Sequence, residues 1–308
     1  MKHTAPRRMA ARVIPLDRAL EALPVFRLSD SADDAAITYS PEAGGRWRVL
    51  PSPGDRLPGT FDQDVYVEIC RRYFEAGSPG DGSISFTLHA FLRSIGRRAD
   101  GRTYEQLRSA LNRLVRTSLE SSGTYWNAAL NAPFEGRFSI LTSVAIDRRR
   151  ISDRDQLALF PAFASPEPGD ATITLSPIIR SNIGASFTSS LSVQHYQALS
   201  SPVARRLYRL LEVARSGDAM TWTRSLEALA EQLPLLQRYP SHLQRVLQPA
   251  QEMLLASGIL TDVRTSRGDG GWEVTYSLAP RNAPSAGIAA SDTGARQEPV
   301  EKSGDVGD

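Results

Sequence analysis

The chain has 308 residues, of which 41% are hydrophobic and 23% charged, and its formal net charge is +2. These proportions suit a folded globular protein with room for two modest cores and exclude wholesale disorder. No stretch approaches the roughly 18 apolar residues of a membrane span and no signal-peptide run opens the chain, so a cytoplasmic protein without membrane contact is expected.

Cys70 is the only cysteine, which rules out an internal disulfide and a cysteine-based zinc cluster. Lys2 and Lys302 are the only lysines among 36 basic residues. Arginine's planar fork suits phosphates and guanine edges, although a genome rich in arginine codons produces the same bias.

In chain order, residues 1–58 mix basic patches, small residues and the turn-rich run Pro51-Ser-Pro-Gly-Asp-Arg-Leu-Pro-Gly59. They read as a flexible N-terminal arm. Residues 61–76 then have apolar side chains close to helical spacing (Val65, Ile69, and Tyr73 or Phe74). Ser83-Ile-Ser-Phe86 alternates as a short strand. Thr87 is placed to cap a helix bearing Leu88, Phe91, Leu92 and Ile95, which stops at Gly96. A second helix is predicted from Thr103 to about Thr117, with Leu107, Ala110, Leu111, Leu114 and Val115 inward. Residues 119–127 and 137–147, rich in β-branched and aromatic residues, complete the unit as a hairpin.

Residues 151–200 read as a packed connector, a possible dimer contact, with an apolar run at 157–163, a strand at 173–175 and a short helix at 194–199. The same plan then returns. A helix over 201–215 carries Leu207, Leu210 and Leu211, Met220-Thr-Trp-Thr223 is a strand, and a helix from Ser225 ends at Pro234. The next helix runs from Ser241 to about Ser257, where Pro249 is expected to kink or split it. Residues 259–265 and 272–278 flank the glycine-rich turn Arg267-Gly-Asp-Gly-Gly271. Residues 281–308, with three basic and five acidic side chains, read as a disordered acidic tail.

Helix, strand, helix, helix, hairpin, met twice, is the winged-helix plan. The expected fold is α+β, with tandem winged-helix domains over 59–150 and 201–280. In both copies the helix after the turn opens with a capping-box pattern, Thr103-Tyr-Glu-Gln106 and Ser241-His-Leu-Gln244. In helix-turn-helix proteins this second helix enters the major groove of DNA. The first copy's DNA-facing candidates are Thr103, Gln106, Arg108, Ser109, Asn112, Arg113 and Arg116. The second copy's are Ser241, His242, Gln244, Arg245 and Gln248, with Arg267 on the wing. These side-chain types pair with base edges or phosphates. A polar, basic face is also what any solvated helix shows; the tandem arrangement is what favours a DNA reader.

Catalytic constellations are missing. His3, His89, His195 and His242 are scattered, there is no phosphate-loop motif, and the histidine pair of rolling-circle nickases does not occur. Asp62 and Asp64 fall at a helix start, where their charge complements the dipole. No cofactor, metal or enzymatic activity is expected.

Four motifs in order, Leu57-Pro-Gly-Thr-Phe-Asp-Gln-Asp-Val-Tyr66, Ser83-Ile-Ser-Phe-Thr-Leu88, Tyr104-Glu-Gln-Leu-Arg-Ser-Ala-Leu111 and Ser201-Pro-Val-Ala-Arg-Arg-Leu-Tyr-Arg-Leu-Leu211, resemble the replication initiator protein A family of bacterial plasmids. The resemblance covers about residues 57–280. It implies binding of double-stranded DNA at repeated origin sites (iterons), melting of AT-rich DNA, and recruitment of the host replicative helicase and initiator proteins. By analogy with related iteron initiators it also implies a homodimer that represses its own promoter and a monomer that starts replication. The competing readings are a winged-helix transcriptional regulator without an initiation role, and a protein-interaction module.

Overall fold

The computed structural model describes residues 13–28, 35–146, 170–215, 220–235, 237, 239–268 and 270–280. The apolar run at 157–163 and the acidic tail lie outside these residues.

The first correction to the sequence reading concerns the N-terminal arm. Its described part is built into the body as β1 (Val13–Asp17), α1 (Arg18–Glu21), β2 (Ile37–Tyr39) and β3 (Arg46–Leu50). Ile14, Leu16, Leu20, Phe26, Trp47 and Val49 are buried, and the Trp47 indole donates to the Pro24 carbonyl at 2.8 Å. The signal was present: Ile14 and Leu16 alternate with the less buried Val13 and Pro15, as Trp47 and Val49 do with Arg46 and Arg48. Pro15 and the surrounding turn residues masked it.

The helix α2 (Thr60–Glu75) follows, and most of its side chains are buried. The Asp62 carboxylate accepts the Gly59 amide at 2.9 Å, closing the helix start as its position predicted. After β4 (Ser83–Thr87), the Thr87 hydroxyl accepts the Ala90 amide at 3.1 Å and caps α3 (Leu88–Ser94). The next helix, α4 (Gly101–Arg116), begins two residues before the predicted Thr103. Asp100 is its cap, accepting the Thr103 amide while the Thr103 hydroxyl accepts the Asp100 amide, both at 3.0 Å. Two capping patterns overlap here, and the upstream Asp-x-x-Thr one forms.

The second correction is the first hairpin. Strand β5 (Ser118–Asn127) pairs with β6 (Ala132–Phe138), and together with β2 and β3 they form a four-stranded sheet of order β2-β3-β5-β6. The predicted strand 137–147 is split between that sheet and β7 (Leu141–Ile146), which pairs with β8 (Asp170–Leu175). The chain changes sheets at Ser139-Ile140, where neither glycine nor proline marks the break. Strand β8, which falls in the predicted connector, lies between β4 and β7 in a sheet of order β4-β8-β7. The rest of the connector supplies α5 (Pro177–Gly184), β9 (Thr188–Ser192), which pairs with β1, and α6 (Val193–Ala198).

The second copy contains α7 (Pro202–Ala214), β10 (Thr221–Ser225), α8 (Leu226–Gln232), α9 (Pro240–Ala256), β11 (Leu260–Gly268) and β12 (Gly271–Leu278). Its sheet order is β10-β12-β11, the same as β4-β8-β7: strand one and strand two at the edges, strand three between them. The β11–β12 hairpin closes with Gly268 opposite Gly271, which takes a φ of 129° open to glycine. Pro249 does not split α9, which runs through it. The proline faces solvent while Leu243, Leu247, Ala250 and Leu254 face inward, so water can serve the carbonyl of Arg245 that loses its amide partner.

Buried charge joins the two copies. Arg209 of α7 donates to both oxygens of Glu21 in α1, at 2.7 and 2.9 Å, and Arg206 donates to the Glu21 and Leu23 carbonyls at 2.8 and 2.9 Å. Arg205 bonds the Asp64 carboxylate of α2 at 2.6 and 2.7 Å, and the Tyr196 hydroxyl donates to the same carboxylate at 2.9 Å. The first helix of the second copy is thereby tied to α1 and α2.

Candidate nucleic-acid interface

Leu107, Ala110, Leu111 and Leu114 turn one side of α4 into the core. The opposite side shows Gln106, Asn112 and Arg116 to solvent, with Ser109 and Arg108 half-buried and Arg108 lying 3.5 Å from Glu105. Thr103 is consumed in the helix cap. Arg113 needs a correction as a phosphate-contacting candidate: its side chain is 19% exposed and its guanidinium grips Asp62 at 2.9 and 3.2 Å, tying α4 to α2. Burial pushes the Asp62 carboxyl upward and Arg113 opposes that shift, so each group satisfies the other.

In the second copy α9 places Ser241, His242, Arg245 and Gln248 in solvent and Gln244 at its margin. The predicted Ser241 capping box does not form. Pro240 occupies the first helical position and Tyr239, which has no side-chain capping bond, precedes it. Tyr239 is 70% exposed and meets the His242 ring edge-on at 5.8 Å. The Gln248 amide donates to Glu252 at 2.8 Å. Arg267 is exposed near the hairpin tip, opposite Trp272 in the register.

Sequence reasoning overlooked the turn between α3 and α4. Arg93 at the end of α3, Arg97 and Arg98 in the turn, and Arg102 at the start of α4 are all exposed. Arg97 stacks over the Phe61 ring at 5.8 Å and lies 3.9 Å from Asp64. The signal is the run Gly96-Arg-Arg-Ala-Asp-Gly-Arg102 itself, which the competing capping pattern at Thr103 leaves outside the predicted helix. Asp100 is the carboxylate within this turn, and the Thr103 amide holds its pKa below the usual range.

The described residues bring together no group of histidine, cysteine and carboxylate side chains able to hold a metal ion, and none of their helices is long and apolar enough to cross a membrane. What the surface offers is two outward polar helices, each beside a three-stranded sheet of the same order. The chain belongs to the replication initiator protein A family, whose model matches residues 16–237.

The fold is similar to domains 2 and 3 of RctB, solved as selenomethionine derivatives, with a TM-score of 0.52 at 12% identity, covering 85% of this chain and 99% of that one. It is equally similar to the Pi initiator protein solved in complex with iteron DNA, with a TM-score of 0.52 at 13% identity, covering 88% and 99%. No curated protein matches the chain in sequence. The family match begins inside β1, in keeping with the folded N-terminal segment, and ends before α9.

Proposed function

We propose that the chain is a plasmid replication initiator that binds double-stranded DNA at iterons through two winged-helix units. It acts in the cytoplasm by binding and not by catalysis, melts the neighbouring AT-rich DNA, and recruits the host helicase and initiator proteins. A homodimer is its self-repressing form. The first unit comprises α2, β4, α3, α4, β7 and β8, and the second runs from α7 to β12. The observation that carries this reading is the repeated sheet order, β4-β8-β7 and β10-β12-β11, each beside an outward polar helix, within a chain of the initiator family. In each unit the second helix of the pair is the groove reader, and Gln106, Arg108, Asn112 and Arg116 of α4 with Gln244, Arg245 and Gln248 of α9 are the base and phosphate contacts.

Selection of bound sequences from a random duplex pool tests this function. Enrichment of one short motif, recurring as direct repeats beside AT-rich DNA in the parent replicon, is the expected result. A lone palindrome would favour a transcriptional regulator, and no enrichment at low salt would favour a protein-interaction module.

On the selected duplex, Gln244→Ala and Arg245→Ala are each expected to lower the preference for cognate over random DNA by about 1 to 3 kcal/mol while hardly changing the nonspecific affinity. Competition titrations of both variants check this. Full retention of the preference by both would remove α9 as a reader.

A further inference from the structure

Charge is divided unevenly between the two units. Residues 88–117, from α3 through α4, carry seven arginines against Asp100 and Glu105. The matching residues 226–256, from α8 through α9, carry Arg238 and Arg245 against Glu227, Glu231 and Glu252. The first unit is strongly basic where the second is slightly acidic.

Within the first unit the arginines are not equivalent. Arg113 is held by Asp62, Arg108 lies beside Glu105, and Arg97 is shared between Phe61 and Asp64. Arg93, Arg98 and Arg102 are exposed, and none of them forms an ion pair with a described residue. They fall within ten residues around one tight turn, whose Gly96 takes a φ of 71°. A guanidinium cluster of this kind, with Asp100 as the carboxylate within the turn, still carries an excess of positive charge and favours a polyanion. The three side chains flank the start of α4, Arg102 lying in its first turn, so a helix laid in a groove carries them to the flanking phosphates.

We infer that the Arg93, Arg98 and Arg102 turn is the protein's main grip on the phosphate backbone of duplex DNA, and that the second unit supplies sequence preference with little salt dependence. This assignment rests on the duplex binding proposed above and adds a division of labour between the units. Phosphate contacts release counterions and govern salt dependence, whereas base contacts govern discrimination, so the two contributions can be measured separately.

The test uses the full chain and the selected duplex, with affinity measured by fluorescence anisotropy from about 50 to about 200 mM salt. Each phosphate contact contributes about 0.9 to the slope of log affinity against log salt. The triple variant Arg93→Gln, Arg98→Gln, Arg102→Gln is expected to flatten that slope by about 2 to 3, and to weaken cognate and random duplexes alike. The pair Arg245→Gln, Arg267→Gln is expected to change it by less than about 1 while reducing the preference for the cognate site.

The three single variants, each expected to flatten the slope by about 0.9, guard against a misfolded triple variant. A triple variant with the parental slope, or a second-unit pair that flattens it as much, overturns the assignment while leaving duplex binding intact. A parent chain that shifts no duplex at low salt overturns the proposed function, and this assignment falls with it.

Discussion

Replacing Arg209 by methionine is expected to cost about 3 to 5 kcal/mol of folding stability, because it leaves a buried carboxylate without its main partner. Arg209 and Arg206 are 2% exposed and Glu21 is fully buried. Arg209 holds both Glu21 oxygens and lies over the Phe26 and Tyr66 rings at 5.6 and 5.3 Å. Arg206 is no substitute: its guanidinium is 3.8 Å from the Glu21 carboxylate and is already donating to carbonyls. Burial, aided by the like charge of Arg209, pushes the pKa of Arg206 down to about 10.

Urea unfolding at neutral pH measures the cost of Arg209→Met. The double variant Glu21→Leu, Arg209→Met is expected to recover a large part of it, since a well-packed apolar pair can replace a buried ion pair. A single-variant cost below about 1 kcal/mol would contradict the reading that Arg209 is the main partner of a buried carboxylate. The cluster anchors α7 on α1, and through the Tyr66 ring it also touches α2 of the first unit.

The second large effect is a pH dependence centred on Asp17. Its carboxylate sits at the start of α1, accepts the Ala19 amide at 3.0 Å and the Asn182 amide at 2.9 Å, and takes a bond from the Tyr125 hydroxyl. Burial nevertheless dominates and pushes its pKa up to about 7. Because the folded value lies above the unfolded one, protonated Asp17 stabilises the fold fully below about pH 4. That contribution declines as the pH rises and is gone above about pH 7. At about 1.4 kcal/mol per pH unit, the loss is on the order of 4 kcal/mol.

Asp17→Asn lacks the titration, so its stability is expected to fall less than the parent's between pH 5 and pH 8, by about 2 to 3 kcal/mol, in urea unfolding at the two pH values. Parallel losses in parent and variant would mean that Asp17 does not titrate in this window.

Much of the helical frame was legible in the sequence because apolar spacing on α3, α4, α7 and α9 is strong and local. Leu107, Ala110, Leu111 and Leu114 mark α4 whatever it packs against. Sheet partnership was not legible, since it depends on residues far apart: β3 joins β5 across 72 residues, and β8 reaches β4 across 87. That is why 119–127 and 137–147 read as one hairpin although the chain changes sheets between them. Polar side chains were legible as exposed or buried only where they had no distant partner. The tie from Arg113 to Asp62 depends on how α4 packs against α2, and no helical periodicity of α4 alone exposes it. The Arg93, Arg98 and Arg102 turn was in plain view, and a helix start placed two residues late hid it.

Hydroxyl-radical footprinting of the full chain on its selected duplex tests most directly whether both units engage one DNA molecule. Two protected backbone patches on the same face, centred about one helical turn (about 10 base pairs) apart, are predicted. One of them should be lost in the Arg93→Gln, Arg98→Gln, Arg102→Gln variant. A single protected patch, unchanged in that variant, would contradict the account.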